Sequence, residues 1–238
     1  MGFILNMIYP PRCPVCDGIL YEKDRIGRPA VCRKCVPLLK RISYPSCMKC
    51  GKQLEDEKQE LCHDCAGRAH DYVRGVAAFS YTDAMKNSMY AFKYNNRREY
   101  ADFYADSICD FYGNTIRGWK ADVIMPVPLH KSRLRTRGYN QAALLGRCLA
   151  RKLDIPYDEK TLFRTRKTTP LKELSDKERV TGLKSAFQVS GNSVEYKKII
   201  LADDIYTTGA TIDECARTLL SAGASEIYFA VVCIGRGF

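Results

Sequence analysis

The sequence IILADDIYTTGAT, residues 199–211, contains the pattern that decides the fold class. Its apolar run predicts a buried strand, and Asp203 and Asp204 follow that run, at the end where open α/β sheets hold their ligands. Small residues and hydroxyls form the next turn, and a helical pattern begins after it. Backbone N–H groups of such a turn, together with a helix N-terminus, attract phosphate. The predicted phosphate-binding loop consists of Thr207, Thr208, Gly209, Ala210 and Thr211.

Two adjacent carboxylates beside an anion-binding turn fit a sugar phosphate, because vicinal hydroxyl groups can donate hydrogen bonds to them. Asp203 and Asp204 are therefore the predicted catalytic residues. An ordinary strand-to-helix turn with Asp and Thr caps is the alternative. It is less favoured, since two neighbouring carboxylates repel each other.

Composition bounds the class of protein. The chain has 238 residues, enough for one large domain and a small one. Its formal net charge of +11 suits polyanions such as nucleic acid or phosphorylated ligands, although a merely solvated basic surface would give the same value. No apolar run approaches the roughly 20 residues that span a bilayer, and no export signal is recognisable. We expect a cytoplasmic protein without membrane insertion.

Four Cys-x-x-Cys pairs occupy the first 65 residues. Each pair can present two thiolates to one metal, so four pairs predict two structural zinc ions with four sulfur ligands each. Disulfides or a redox motif fit less well, since nothing directs export and a redox site needs only one pair. Short loops favour pairing in sequence order, while a nested or crossed arrangement stays open. In sequence order the ligands are Cys13, Cys16, Cys32 and Cys35 for one ion, and Cys47, Cys50, Cys62 and Cys65 for the other.

The zinc region ends near residue 70, which divides the chain into a zinc-ribbon domain, 1–70, and a second domain, 71–238. In the second domain strands alternate with helices, a pattern that predicts an α/β fold with a mainly parallel sheet and helices on both faces. We predict strands at 73–81, 122–127, 197–203 and 226–233, helices near 82–94, 100–111, 140–153 and 210–222, a connecting loop at 113–120, and a mobile loop with a short helix at 163–187.

The segment MPVPLHKSRLRTRGYNQ, residues 125–141, places four cations within seven residues after a predicted strand. Guanidinium groups pair strongly with pyrophosphate. An exposed basic loop or a patch for nucleic-acid phosphates is the alternative. Beside the aspartate motif, a pyrophosphate-binding loop is favoured. Its cations are Lys131, Arg133, Arg135 and Arg137.

Residues 199–211 closely resemble the phosphoribosyl pyrophosphate (PRPP) signature of type I phosphoribosyltransferases. The order PPRCPVC (10–16), YAFKY (90–94), VPLHKSRLRTRGYNQA (127–142) and ADDIYTTGAT (202–211) resembles the ComF (ComFC-type) family over nearly the whole chain. That resemblance implies a type I phosphoribosyltransferase fold behind a double zinc ribbon. It also implies PRPP as ligand with magnesium, a role in natural competence, single-stranded DNA as a partner and the competence DNA helicase or translocase as another.

The resemblance assigns roles residue by residue. It implies PRPP-binding roles for Lys93, Arg133, Arg137, Asn140 and the loop 207–211, adds Gly138 and Gln141 to the basic loop, and places Arg164, Arg166 and Arg179 in a mobile loop. Two positions depart from the family pattern, because Leu171 and Gly182 stand where a Gln and an Asn are common.

Three functions stay open at this stage. The first is a PRPP-binding protein that handles single-stranded DNA during uptake. The second is an active phosphoribosyltransferase on an unidentified base, although Thr207 occupies the position of the acidic residue that purine-salvage enzymes carry. The third is a PRPP-sensing regulator, for which no helix-turn-helix segment is recognisable.

Overall fold

The computed structural model describes residues 10–21, 25–26, 31–165, 186–191 and 193–235. In chain order the strands are β1 Arg25–Ile26, β2 Val31–Cys32, β3 Arg74–Ser80, β4 Val123–Pro126, β5 Leu162–Arg164, β6 Phe187–Val189, β7 Lys198–Tyr206 and β8 Glu226–Ile234. The α-helices are α1 His63–Ala66, α2 Asp83–Tyr94, α3 Tyr100–Gly118, α4 Lys131–Arg137, α5 Gln141–Leu153 and α6 Ala210–Ser221, and a 3₁₀ helix spans Arg33–Leu38.

The core is a parallel sheet with strand order β3–β8–β7–β4. Its strands carry apolar side chains on both faces, so other elements are expected to cover both faces of the sheet. Neighbouring residues of β7 point to opposite faces: Ile200 lies in one buried cluster, and Ile199 and Leu201 lie in the other. Helices α2, α3 and α5 cover the first face, and α6 covers the second. The predicted sheet with helices on both faces is confirmed.

Each zinc ribbon packs on a different face of this sheet. The first ribbon, the described part of residues 10–38, contributes Cys13 and Leu20 to the cluster that holds α2 and α3. The second ribbon, residues 45–66, contributes Cys47 and Leu54 to the cluster that holds α6. The two ribbons therefore serve as part of the cover on opposite faces. The division of the chain at residue 70 stays a prediction.

Polar contacts fix the first ribbon to the helices beside it. The Tyr100 hydroxyl on α3 donates to the Asp17 carboxylate at 2.5 Å, and Arg97 pairs with the same carboxylate at 2.6 Å. Ser88 on α2 donates to the carbonyl oxygen of Pro14 inside the first cysteine knuckle. These three side chains belong to the α/β part of the chain. Their contacts hold the first ribbon in place, in addition to the covalent connection between the two parts.

Three element predictions need correction. Helix α3 continues to Gly118 through the predicted loop at 113–120, because Ile116 extends its apolar stripe and is fully buried. The predicted basic loop is the helix α4, which His130 caps at one end and Gly138, with φ +77°, ends at the other. Strand β7 runs to Tyr206, three residues beyond the predicted strand at 197–203, so Asp204 as well as Asp203 lies within the strand.

The segment predicted as a mobile loop lies mainly outside the described residues, including Arg166, Arg179, Leu171 and Gly182. Its two ends are held together by an antiparallel pairing of β5 with β6. Within the described part of the chain, no helix is long and apolar enough to cross a membrane.

Candidate functional site

Asp203 and Asp204 lie at the edge where the sheet opens. Strand β4 pairs with β7 only as far as the register Pro126 to Ala202, so the next residues of β7 have no neighbour from β4. The amide of Asp204 donates to the Asp203 carboxylate at 2.8 Å, which fixes the first side chain against the backbone of the second. Both carboxylates face a cavity beside the carboxyl ends of the strands.

Lys93 is the counter-ion of this carboxylate pair. Its ammonium nitrogen lies 2.5 Å from Asp204 Oδ2, and the two side chains are only 18% and 15% exposed. Burial alone lowers the pKa of Lys93, but attraction to Asp204 outweighs it, so the net pKa is raised. Burial, and then the charge of Asp204, raises the pKa of Asp203 to about 8. Burial and the repulsion between the two carboxylates therefore favour a proton on Asp203, beside the Lys93–Asp204 ion pair.

The predicted phosphate loop follows β7 directly. Gly209 has a φ of +81°, and a Cβ there would overlap the Tyr206 hydroxyl, so this position requires glycine. Helix α6 begins at the next residue, which places its N-terminus at the loop. Thr207 and Thr211 line the cavity, whereas Thr208, Gly209 and Ala210 lie in the same loop without lining it.

Arginines from α4 and β5 also line the cavity. Arg133 and Arg137 project from α4, and Arg164 comes from β5. Burial, and then the charge of Arg137, lowers the pKa of Arg133; burial, and then the charge of Arg133, lowers the pKa of Arg164. Arg133 and Arg137, and likewise Arg133 and Arg164, thus repel each other in a partly desolvated space. A bound polyanion would relieve that repulsion.

The cavity has a volume of about 520 Å³. It brings together most of the predicted ligand residues: Lys93, Arg133, Arg137, Asn140, Gln141, Arg164, Asp203, Asp204, Thr207 and Thr211. Its lining includes five cationic side chains, Lys86 among them, and two carboxylates. The excess of positive charge suits a ligand with several phosphate oxygens near the aspartates.

Two lining residues have a structural task that the resemblance does not indicate. The Asn140 side chain caps α5 by accepting from the Ala142 amide at 3.1 Å, and donates to the Val127 carbonyl at 3.0 Å. Gln141 is buried and accepts from Arg137 at 3.0 Å. Both residues therefore hold the strand-end loop and an arginine in place.

The segment that follows the second ribbon braces the phosphate loop and the first turn of α6. The Tyr72 hydroxyl lies 2.7 Å from the hydroxyl of Tyr206, the last residue of β7. One turn into α6, Asp213 accepts from Arg68 at 3.2 Å and lies 2.8 Å from His70 Nδ1. These contacts join residues about 140 positions apart, so sequence patterns gave no signal for them.

The eight paired cysteines form two clusters in sequence order, as predicted. In each cluster the four sulfur atoms lie within 4.8 Å of one another. The Cys16 and Cys32 sulfurs are 3.9 Å apart, and those of Cys50 and Cys62 are 3.7 Å apart. A tetrahedral zinc ion with bonds of about 2.3 Å requires sulfur separations of about 3.8 Å. Both clusters thus fit a closed zinc centre that leaves no position for a substrate.

Tyrosines at the mouth of the cavity were not among the predicted site residues. Tyr90 and Tyr94 on α2 line the cavity and are mainly exposed. The signal available in the sequence was their spacing of four residues on the face of α2 opposite to the buried Met85 and Met89.

Comparisons with known proteins agree with this geometry. A family model described as a double zinc ribbon domain matches residues 4–66, and one described as a phosphoribosyl transferase domain matches residues 140–237. Competence protein F of Haemophilus influenzae is 32% identical over 226 residues, which cover 91% of this chain and 93% of that protein. Competence protein ComFC of Bacillus subtilis is 32% identical over 201 residues, covering 81% and 79%.

Two further matches are more distant. DNA utilization protein YhgH of Escherichia coli is 28% identical over 212 residues, covering 87% of this chain and 92% of that protein. Among solved structures, a purine phosphoribosyltransferase from Pyrococcus horikoshii superposes with a TM-score of 0.37 at 16% identity, covering 56% of this chain and 83% of that one. This last likeness is too weak to support an argument.

The parallel sheet, the strand-end aspartates and the two family models define the class: the chain has a type I phosphoribosyltransferase fold preceded by a double zinc ribbon. The 32% identity to Competence protein F, which extends over nearly the whole of that protein, also identifies the family. The chain belongs to the family of that protein, the ComF family.

Proposed function

We propose that the cavity binds PRPP with Mg²⁺, and that this PRPP-binding domain serves DNA uptake through the handling of single-stranded DNA in the cytoplasm. The observation that carries the first part is one cavity that holds Asp203 and Asp204 between the loop 207–211 and the arginines of α4. The aspartates accept from the ribose hydroxyls, and the loop holds the 5′-phosphate. Arg133 and Arg137 hold the pyrophosphate with Mg²⁺, a cation that prefers carboxylate, phosphate and water oxygens.

The two ends of PRPP can be tested separately by thermal unfolding. With Mg²⁺ present, PRPP should raise the Tm more than either ribose 5-phosphate or pyrophosphate, since only PRPP fills both subsites. A ligand at about 100 times its Kd adds about 2.7 kcal/mol to the free energy of unfolding. Arg133→Gln should weaken the pyrophosphate effect more than that of ribose 5-phosphate, and Thr207→Val should do the reverse. Equal effects of both variants on both fragments would contradict the assigned orientation.

The DNA part of the proposal is supported by the relatives and by charge. Three of the relatives carry the names competence protein F, competence protein ComFC and DNA utilization protein, and this chain has a net charge of +11. Fluorescence anisotropy with a labelled single strand of thymidylates should show binding that weakens steeply with salt, because contacts to Z phosphates give a slope of about −0.7Z. A duplex of the same length is the control. Absence of binding at low salt, or a preference for the duplex, would refute it.

A further inference from the structure

One stripe of helix α2 faces the cavity. At about 100° per residue, Lys86, Asn87, Tyr90, Lys93 and Tyr94 fall within an arc of about 120°. All five line the cavity, while Met85 and Phe92 anchor the helix in the core, and the buried Met89 both packs in that core and lines the cavity. Because Lys93 contacts Asp204 at 2.5 Å, the stripe begins at the predicted ribose position. Tyr90 lies one turn away, about 4.5 Å along the helix axis.

The two tyrosines of the stripe are exposed and preorganised. Their ring centroids are 5.0 Å apart at 45°, and their exposed fractions are 60% for Tyr90 and 55% for Tyr94. Arg137 fixes Tyr94 from α4, since its guanidinium lies 5.0 Å from the ring centroid and donates to the hydroxyl at 3.0 Å. A cation thus holds the Tyr94 ring, while both rings keep more than half of their surface exposed at the cavity.

We propose that Tyr90 and Tyr94, with Asn87 beside them, form a binding ledge for a nucleobase ring. Aromatic side chains bind bases of any sequence by stacking. The Asn87 amide offers one acceptor and two donors to the polar edge of a base. An apolar protein helix fits less well, because Lys86, Asn87 and Lys93 interrupt the stripe with polar groups. The base can belong to a free acceptor or to a nucleotide of a single strand, and both present the same flat ring.

This inference rests on the proposed PRPP site, because the ledge is a wall of the same cavity. The probe is 2-aminopurine, whose fluorescence is quenched on stacking, used in two forms: the free base, and one residue within a ten-nucleotide thymidylate strand. Zinc-loaded protein is titrated against each form with Mg²⁺, with and without PRPP. The variants are Tyr90→Ala and Tyr90→Phe. Tyr21→Ala is the matched control, because Tyr21 lies on the first ribbon and, at 59%, is as exposed as Tyr90.

We expect quenching by the wild-type protein, by Tyr90→Phe and by Tyr21→Ala, and an affinity about 5- to 150-fold weaker for Tyr90→Ala, the range that base–aromatic stacking contributes. Quenching of the free base identifies an acceptor subsite, and quenching within the strand alone identifies a DNA contact. Both outcomes support the ledge. Equal quenching by wild type and Tyr90→Ala, or none with either probe, overturns it.

Failure of the ledge and failure of the PRPP site give different results. The same protein is titrated with PRPP in the absence of the probe. If PRPP does not bind, the proposed function fails, whatever the probe shows. If PRPP binds and Tyr90→Ala leaves probe binding unchanged, only the ledge fails. Zinc content of each variant verifies that the chain is folded.

Discussion

Replacement of Asp203 by Asn should stabilise the protein without ligand while it removes PRPP binding. The Asn side chain has nearly the same shape, and its Oδ1 can still accept from the Asp204 amide, a contact of 2.8 Å in the structure. What it removes is a carboxyl group that is ionised in the unfolded chain above about pH 4 and that burial and the charge of Asp204 force to take up a proton on folding. The site therefore holds a carboxylate that opposes folding, which is a common property of functional residues.

The magnitude follows from the pKa of Asp203. Burial, and then the charge of Asp204, raises this pKa from 3.8 to about 8 in the folded protein. The folded state holds the proton more tightly, so the stabilising effect of protonation is complete below about pH 4 and is lost as the pH rises to about 8. Each pH unit in this window removes about 1.4 kcal/mol. Between pH 5 and pH 8 the advantage of Asp203→Asn should grow by up to about 4 kcal/mol, or about 10 °C in Tm.

Urea unfolding of both proteins at pH 5, 6, 7 and 8 without ligand measures this advantage. Asp110→Asn is the matched control, because Asp110 is an exposed carboxylate on α3 outside the cavity. The control should show no growth of the difference with pH. A difference between Asp203→Asn and wild type that stays constant from pH 5 to pH 8, or that reverses sign, would refute the reasoning.

Four further predictions concern the Tyr72–Tyr206 contact, the phosphate loop, the second zinc centre and the proton of Asp203. Tyr72→Phe loses the 2.7 Å contact with Tyr206, so the free energy of unfolding in urea should fall by about 1–3 kcal/mol, whereas Tyr44→Phe, at an exposed site, should change it little. Gly209→Ala forces a Cβ into the Tyr206 hydroxyl at a φ of +81°, so calorimetry should show PRPP affinity at least about tenfold lower, with zinc content unchanged; wild-type affinity would contradict this. Cys50→Ser removes one of four thiolates, so elemental analysis should find one zinc per chain instead of two, and two would contradict the second centre. PRPP binding favours the ionised form of Asp203, so calorimetry in buffers of different ionisation enthalpy should detect proton release at pH 7, and zero release would contradict the coupling.

The sequence predicted the parts of the fold that depend on local patterns. The apolar run of β7 predicts the strand, and the Asp203–Asp204 pair predicts the position of the candidate site. The two predictions agree, because the carboxylates come at the end of the strand where such sheets hold their ligands. The cysteine knuckles predict the two clusters, since four-thiolate zinc centres constrain spacing. Helix α4 was predicted as a loop because none of its residues is buried, so no apolar period marks it.

Long-range contacts could not be predicted from the sequence, for a different reason. Tyr72 and Tyr206 are 134 positions apart, and nothing in either neighbourhood indicates their hydrogen bond. Packing of the two ribbons on opposite faces of the sheet depends on such contacts, as in the pairing of Asp17 with Arg97 across 80 positions. Lys93 was expected near the site only through the family resemblance, and its contact with Asp204 requires the folded chain.

Calorimetric titration of zinc-loaded protein with PRPP and Mg²⁺ tests the central claim most directly. We expect saturable binding by the wild-type protein and by Asp110→Asn. The double variant Asp203→Asn/Asp204→Asn should bind at least about 100-fold more weakly, since each hydrogen bond from a ribose hydroxyl to a carboxylate contributes about 1.5–3 kcal/mol. No binding by the wild-type protein, or equal binding by the double variant, would contradict the assignment of this cavity to PRPP.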